Sequence, residues 1–88
     1  HMESKYLTFE DVSLQVDPKG LKKTKDFRVW NKTKTELLGF INWRSGWRRY
    51  VFTSPTNQCS FDIDCLNDIQ RFLKLLMIER ENRLEKEN

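Results

Sequence analysis

The hydrophobic period of this chain changes once, and that change constrains its fold more than any other feature. Before Pro55, apolar residues recur at every second position in short runs; from Asp64 onward they recur at three and four. Leu66, Ile69, Phe72, Leu73 and Leu76 then fall on one stripe of an amphipathic helix. Strands followed by a single long helix specify the α+β class. The expected architecture is an antiparallel meander sheet of three to four strands with one long C-terminal helix packed on one face. Such a sheet keeps its second face free.

The strands are read one by one. In "KYLTFEDVSLQV", residues 5–16, Leu7 and Phe9 alternate with polar residues, but Val12, Leu14 and Val16 have the other parity. That change near Asp11 implies a bulge or two short strands. "DPKG", residues 17–20, has proline and glycine where a β-turn wants them. "KDFRVWNK" reads as a strand with Phe27 and Val29 on one side and Arg28 and Trp30 on the other. "NKTKTE" is a polar connection, "LLGFINW" a third strand and "WRRYVFTS" a fourth. Pro55 ends the last, because proline cannot donate to a ladder.

The register of the final hairpin sets its faces. A two-residue loop at Ser45-Gly46 pairs Trp43 with Arg48, Ile41 with Tyr50 and Gly39 with Phe52. One face then collects Ile41, Trp43, Tyr50 and Phe52; the other collects Phe40, Asn42, Arg44, Trp47, Arg49 and Val51. A three-residue loop would exchange the partners on every face. The first register is preferred because it yields one clearly apolar face.

Asp62 or Asp64 is the expected helix N-cap. Leu75, Met77 and Ile78 widen the apolar stripe. At 88 residues the chain suits one small domain, read here as residues 3–88, with His1-Met2 as a cloning remnant and 81–88 as a fraying end.

Charge is segregated. Residues 1–18 hold Lys5 against four acids, a net of −3; residues 61–88 hold five bases against seven acids, a net of −2. Between them, residues 19–60 hold ten bases against Asp26 and Glu36, a net of +8. A basic segment interleaved with aromatics suits an anionic partner. Lysines in turns and on edge strands also keep a small sheet soluble. For "KGLKKTK", residues 19–25, that solubilising role is the favoured one. For the arginines beside the tryptophans the two roles weigh equally.

Several chemistries are excluded by what the chain contains. Its single histidine lies in the cloning remnant, so the usual general base and imidazole ligand are missing. Cys59 and Cys65 fit neither a CxxC pair nor a four-ligand zinc site; partly buried free thiols are expected, and the spacing leaves a disulfide open. Asp62, Asp64 and Asp68 read as capping residues, and there is no glycine-rich phosphate loop. No enzymatic activity, metal or cofactor is expected. No apolar run reaches the ~20 residues that cross a bilayer, so no membrane partner is expected and a cytoplasmic location is.

"LLGFINWRSGWRRYVFTSP" followed by "FDIDCLNDIQRFLKLL" resembles a family of small phage and prophage proteins with the pattern L-G-x-I-x-W-x-x-x-W-R-x-Y-x-F, then C-L-x-D-I-x-x-F. Leu38, Gly39, Ile41, Trp43, Trp47, Arg48, Tyr50 and Phe52 carry its first part. Cys65, Leu66, Asp68, Ile69 and Phe72 carry its second. The resemblance implies a viral or mobile-element origin and action inside a bacterial cell. It implies no catalytic residue.

The expected function is therefore binding. Arg44, Trp47, Arg48 and Arg49 form the expected contact surface, supported by Arg28, Trp30 and Lys32. The expected partner is nucleic acid or a nucleotide, with phosphates on the cations and bases stacked on Trp47, Trp30 or Phe40. The alternative is a host protein that this one binds and blocks, since Trp, Tyr and Arg dominate protein interfaces. A homodimer closed by the same patch, or by Leu75 and Ile78, is a further possibility. For any one tryptophan, a place in the core is the favoured reading, because a core this small needs its large aromatics.

Overall fold

The computed structural model describes residues 4–55 and 60–87. Four strands, β1 (Leu7–Asp11), β2 (Phe27–Asn31), β3 (Leu37–Arg44) and β4 (Arg49–Thr53), pair antiparallel in chain order. One helical turn, α1 (Ser13–Val16), follows β1, and a long helix, α2 (Ile63–Glu87), closes the fold. The class is α+β: a meander sheet with the helix packed on one face.

Residues 5–16 are neither bulged nor two strands. Asp11 Oδ1 accepts from the Ser13 N–H at 2.9 Å and from its hydroxyl at 2.6 Å, which draws the chain out of the ladder into α1. Val12 stays buried, while Leu14 and Val16 turn outward. The DPKG turn forms, with the Gly20 N–H donating to the Asp17 carbonyl at 3.0 Å and Gly20 at φ +64°.

In β2, Phe27 and Val29 face the helix and Arg28 and Trp30 the open side. The ladder to β3 slips between Val29 and Trp30: Val29 pairs with Gly39 but Trp30 with Leu37. The extra residue, Leu38, joins the core. Gly39 has to be glycine, because a Cβ there would stand 2.6 Å from the Phe52 ring and 2.7 Å from the Thr53 carbonyl.

The last hairpin corrects the expected loop. Arg44 pairs with Arg49 and Trp43 with Tyr50, so the turn is Ser45-Gly46-Trp47-Arg48. A two-residue turn at Ser45-Gly46 would need positive φ at Ser45. The longer turn avoids this, with the Trp47 N–H donating to Arg44 and the Arg48 N–H to Ser45, and it puts its positive φ, +54°, at Arg48. The slip is two residues, so parity survives. Ile41, Trp43, Tyr50 and Phe52 still share the helix face, while Trp47 and Arg48 move from strand to turn.

Asp62 is the N-cap: its Oδ1 accepts from the Cys65 N–H at 2.9 Å, and its carbonyl accepts from the Leu66 N–H. The buried stripe runs through Cys65, Ile69, Phe72, Leu73 and Leu76. Leu66, expected in it, is 52% exposed, and Cys65 takes the inward place. Phe72 stacks on Phe9 at 4.1 Å and meets the edge of Phe27 at 4.9 Å. Phe61 packs on Phe52, while further on Arg80 lies over Trp43. Those contacts set α2 running back along the hairpin toward its turn. Helical structure is described through Glu87, with Arg83 donating to the Lys23 carbonyl.

Candidate anion-binding surface

With α2 on one side, the residues of opposite parity are left on the other. Across the open face lie Glu10, then Arg28 opposite it, then Phe40, then Thr53. Toward the turn follow the pairs Asn42 with Val51 and Arg44 with Arg49. Two arginines directly opposed on neighbouring strands repel each other and weaken the hairpin. Among the described residues neither they nor Arg48 pairs with a carboxylate.

Trp47 is 57% exposed at the tip, and the Arg44 guanidinium lies 3.9 Å from its ring centroid. This contact presents a flat ring and a flat cation side by side in water. Trp47 is therefore a surface residue, whereas Trp43, half-buried under Arg80 and edge-on to Tyr50, takes the core role.

The other expected residues are distributed differently. Arg28 and Trp30 are half-buried on the open face, away from the tip. Arg28 reaches Gln15, at the limit of a hydrogen bond (3.5 Å). Trp30 donates its indole N–H to Glu10 at 3.0 Å, and Lys34 bonds the other carboxylate oxygen at 3.1 Å. These two donors hold the Glu10 carboxyl below the usual carboxylate range. Glu10 is the one acid on the open face of the described strands, and it is already occupied. Lys32 does not join the surface: its ammonium donates to the Ser4 carbonyl at 2.8 Å, beside β1.

Arg48 and Arg49 also border a second feature. With Tyr50 they line one wall of a groove of about 450 Å³, whose other wall is α2. Leu73, Met77 and Ile78 form its apolar floor and Lys74 its rim, and Ile78 is 53% exposed.

The lysine run read as solubilising has another place. Lys23 and Lys25 stand on the helix side beside Arg80 and Arg83, around a cavity of about 200 Å³. The reading of the chain missed this cluster. Its one signal was that Arg80 and Arg83 continue the inward stripe of Ile69 and Leu76 at helical spacing.

Burial and the neighbouring Asp62 carboxylate push the Cys65 thiol up, so it stays protonated and a poor nucleophile. Pairing with Cys59 falls outside the described residues. Among the described residues no group of His, Cys, Asp and Glu is placed to hold a metal ion, and no helix is long and apolar enough to cross a membrane.

Fold and surface together define a small α+β protein whose sheet keeps one face open, aromatic and cationic. The chain belongs to the family of a phage protein, "Uncharacterized 9.3 kDa protein" of Acholeplasma phage L2, with 40% identity over 60 residues, 68% of this chain and 76% of that one. No family model matches the chain. No solved structure matches it either.

Proposed function

We propose that the protein is a non-enzymatic binding module whose hairpin tip and open sheet face hold a single-stranded nucleic acid, or a nucleotide as its smallest form. One observation carries the reading: Trp47 stands exposed with Arg44 stacked on it and Arg49 opposed to Arg44, and no described carboxylate neutralises either guanidinium. Phosphates would sit on Arg44, Arg48 and Arg49, with Arg28 further along the face. A base would stack on Trp47, and one a few nucleotides further along the strand on Phe40. In a phage protein this binding would act in the cytoplasm of the host bacterium.

Fluorescence anisotropy with labelled single-stranded DNA and RNA, at low and at moderate salt, tests it. Binding that weakens steeply with salt is the expected result, because phosphate contacts release counterions. No binding at low salt would sink the reading.

A second reading, a protein that binds and blocks a host protein, is favoured by the groove with Ile78 in its floor and Lys74 on its rim. The two separate by substitution. Ile78→Asp would disrupt recognition through the groove and leave oligonucleotide binding intact; Trp47→Ala would do the reverse.

A further inference from the structure

We infer that the outward face of α2 is a homodimer seam, on which a second copy of the chain lies antiparallel with the two-fold axis at Ile78. This face points away from the sheet, so the inference stands apart from the nucleic-acid reading of the open side. Arg71, Lys74, Leu75, Ile78, Glu81 and Glu85 are all exposed on it. Their spacings of three, four and seven keep them on one stripe of the helix. At its middle Leu75 is 43% exposed and Ile78 53%.

Charge chooses the occupant. On this stripe the bases, Arg71 and Lys74, lie before Ile78, and the acids, Glu81 and Glu85, lie after it. None of the four forms an ion pair with another described residue. Glu81 and Glu85, at i and i+4, repel each other along the helix, and Arg71 and Lys74 do so at i and i+3. Asp64 and Asp68 stand near Arg71, but Asp68 is taken up by the Ser4 hydroxyl. A parallel copy would set base on base and acid on acid. An antiparallel copy centred on Ile78 sets Arg71 opposite the second copy's Glu85, and Lys74 beside its Glu81. The two-fold symmetry makes each contact twice. Both repulsions are then answered at once. The centre is apolar: Ile78 borders the groove floored by Leu73 and Met77, which gives the second copy's Ile78 an apolar place, and Leu75 flanks it toward β1. Charge pairs fix direction and register more than they add affinity, and the apolar centre is small. The expected dimer is therefore weak and concentration-dependent.

The experiment is sedimentation equilibrium of the full chain at rising concentration, up to about 1 mM, the weak end of specific association. The average mass is expected to climb from one chain toward two. Arg71→Glu and Glu85→Arg each set like charges across the seam and should weaken association about tenfold or more. Circular dichroism checks that both variants keep the native fold. Mixed in equal amounts, the two variants should recover the dimer, because every acid on the seam then meets a base. The doubly reversed chain should dimerise like the native one, which covers the case of a single variant that fails to fold. Trp47→Ala should leave the mass unchanged, since the hairpin tip takes no part. A native chain that stays monomeric throughout, folded single variants that associate as the native chain does, or a mixture and a double variant that both stay monomeric would overturn the assignment.

Discussion

Trp43 and Trp47 stand four residues apart in one hairpin, and each carries an arginine guanidinium over its ring, at 4.2 Å from Arg80 and 3.9 Å from Arg44. Identical chemistry serves opposite ends. The Trp43 stack joins β3 to α2, half-buried beside Tyr50. The Trp47 stack joins the turn to its own strand and faces water. A tryptophan–arginine pair is therefore neither structural nor functional by itself. What decides is whether the partner comes from across the fold or from the next turn of chain.

The largest expected effect separates the two rings by stability. Trp43→Ala removes a packing ring and the platform under Arg80, and should destabilise the protein by about 3 kcal/mol, the low end for a large aromatic because the ring is only half-buried. Trp47→Ala removes an exposed ring and should stay within about 0.5 kcal/mol. Urea unfolding followed by circular dichroism measures both. Equal losses would break the comparison.

Gly39→Ala comes next, at about 2 kcal/mol of overpacking. The added Cβ would meet both the Phe52 ring and the Thr53 backbone oxygen, and the backbone cannot swing aside as a side chain can. Because Phe52 lies on the helix face, the loss should loosen the inner stack while leaving Trp47 fluorescence unchanged in a Trp30→Phe, Trp43→Phe background.

In binding the order reverses. Trp47→Ala should reduce oligonucleotide affinity about tenfold, the loss of one stacked base, with the melting temperature nearly unchanged. Arg44→Ala should do likewise and flatten the salt dependence. A fall in melting temperature as large as that of Trp43→Ala would mean that the outer stack holds the turn together.

The same contrast explains what could be read from the chain. The outer cluster is contiguous, so Arg44, Trp47, Arg48 and Arg49 were visible as one run, and side-chain parity placed Ile41, Trp43, Tyr50 and Phe52 together even though the loop length was misjudged. A shift of two preserves faces; a shift of one would not. The inner cluster joins Lys23 and Lys25 to Arg80 and Arg83, far apart in the chain, and only the packed helix reveals it. Lys32 shows the opposite error: it lies next to the strand of Arg28 and Trp30, yet its flexible stem carries the charge to Ser4. Leu66 and Cys65 exchanged places because neighbouring residues differ by about 100° around a helix, and hydrophobicity alone favours leucine.

The smallest expected effect concerns acid, and it acts on the inner stack alone. The Cys65 N–H, above all, and the Cys65 side chain hold the Asp62 carboxyl below its usual range. A carboxyl with a lowered native pKa adds stability that is complete above the unfolded value of about 3.9 and fades as pH falls through the native value. Acidification below about pH 4 should therefore loosen the start of α2, the element that brings Arg80 to Trp43. The Arg44–Trp47 pair sits within the hairpin and should not respond. Asp62→Asn keeps a good cap without a titrating group, so its melting temperature should fall less between pH 5 and pH 2.5 than that of the native chain. If the two curves run parallel, Asp62 does not couple acid to the helix, and the inner stack owes its pH dependence to other carboxylates.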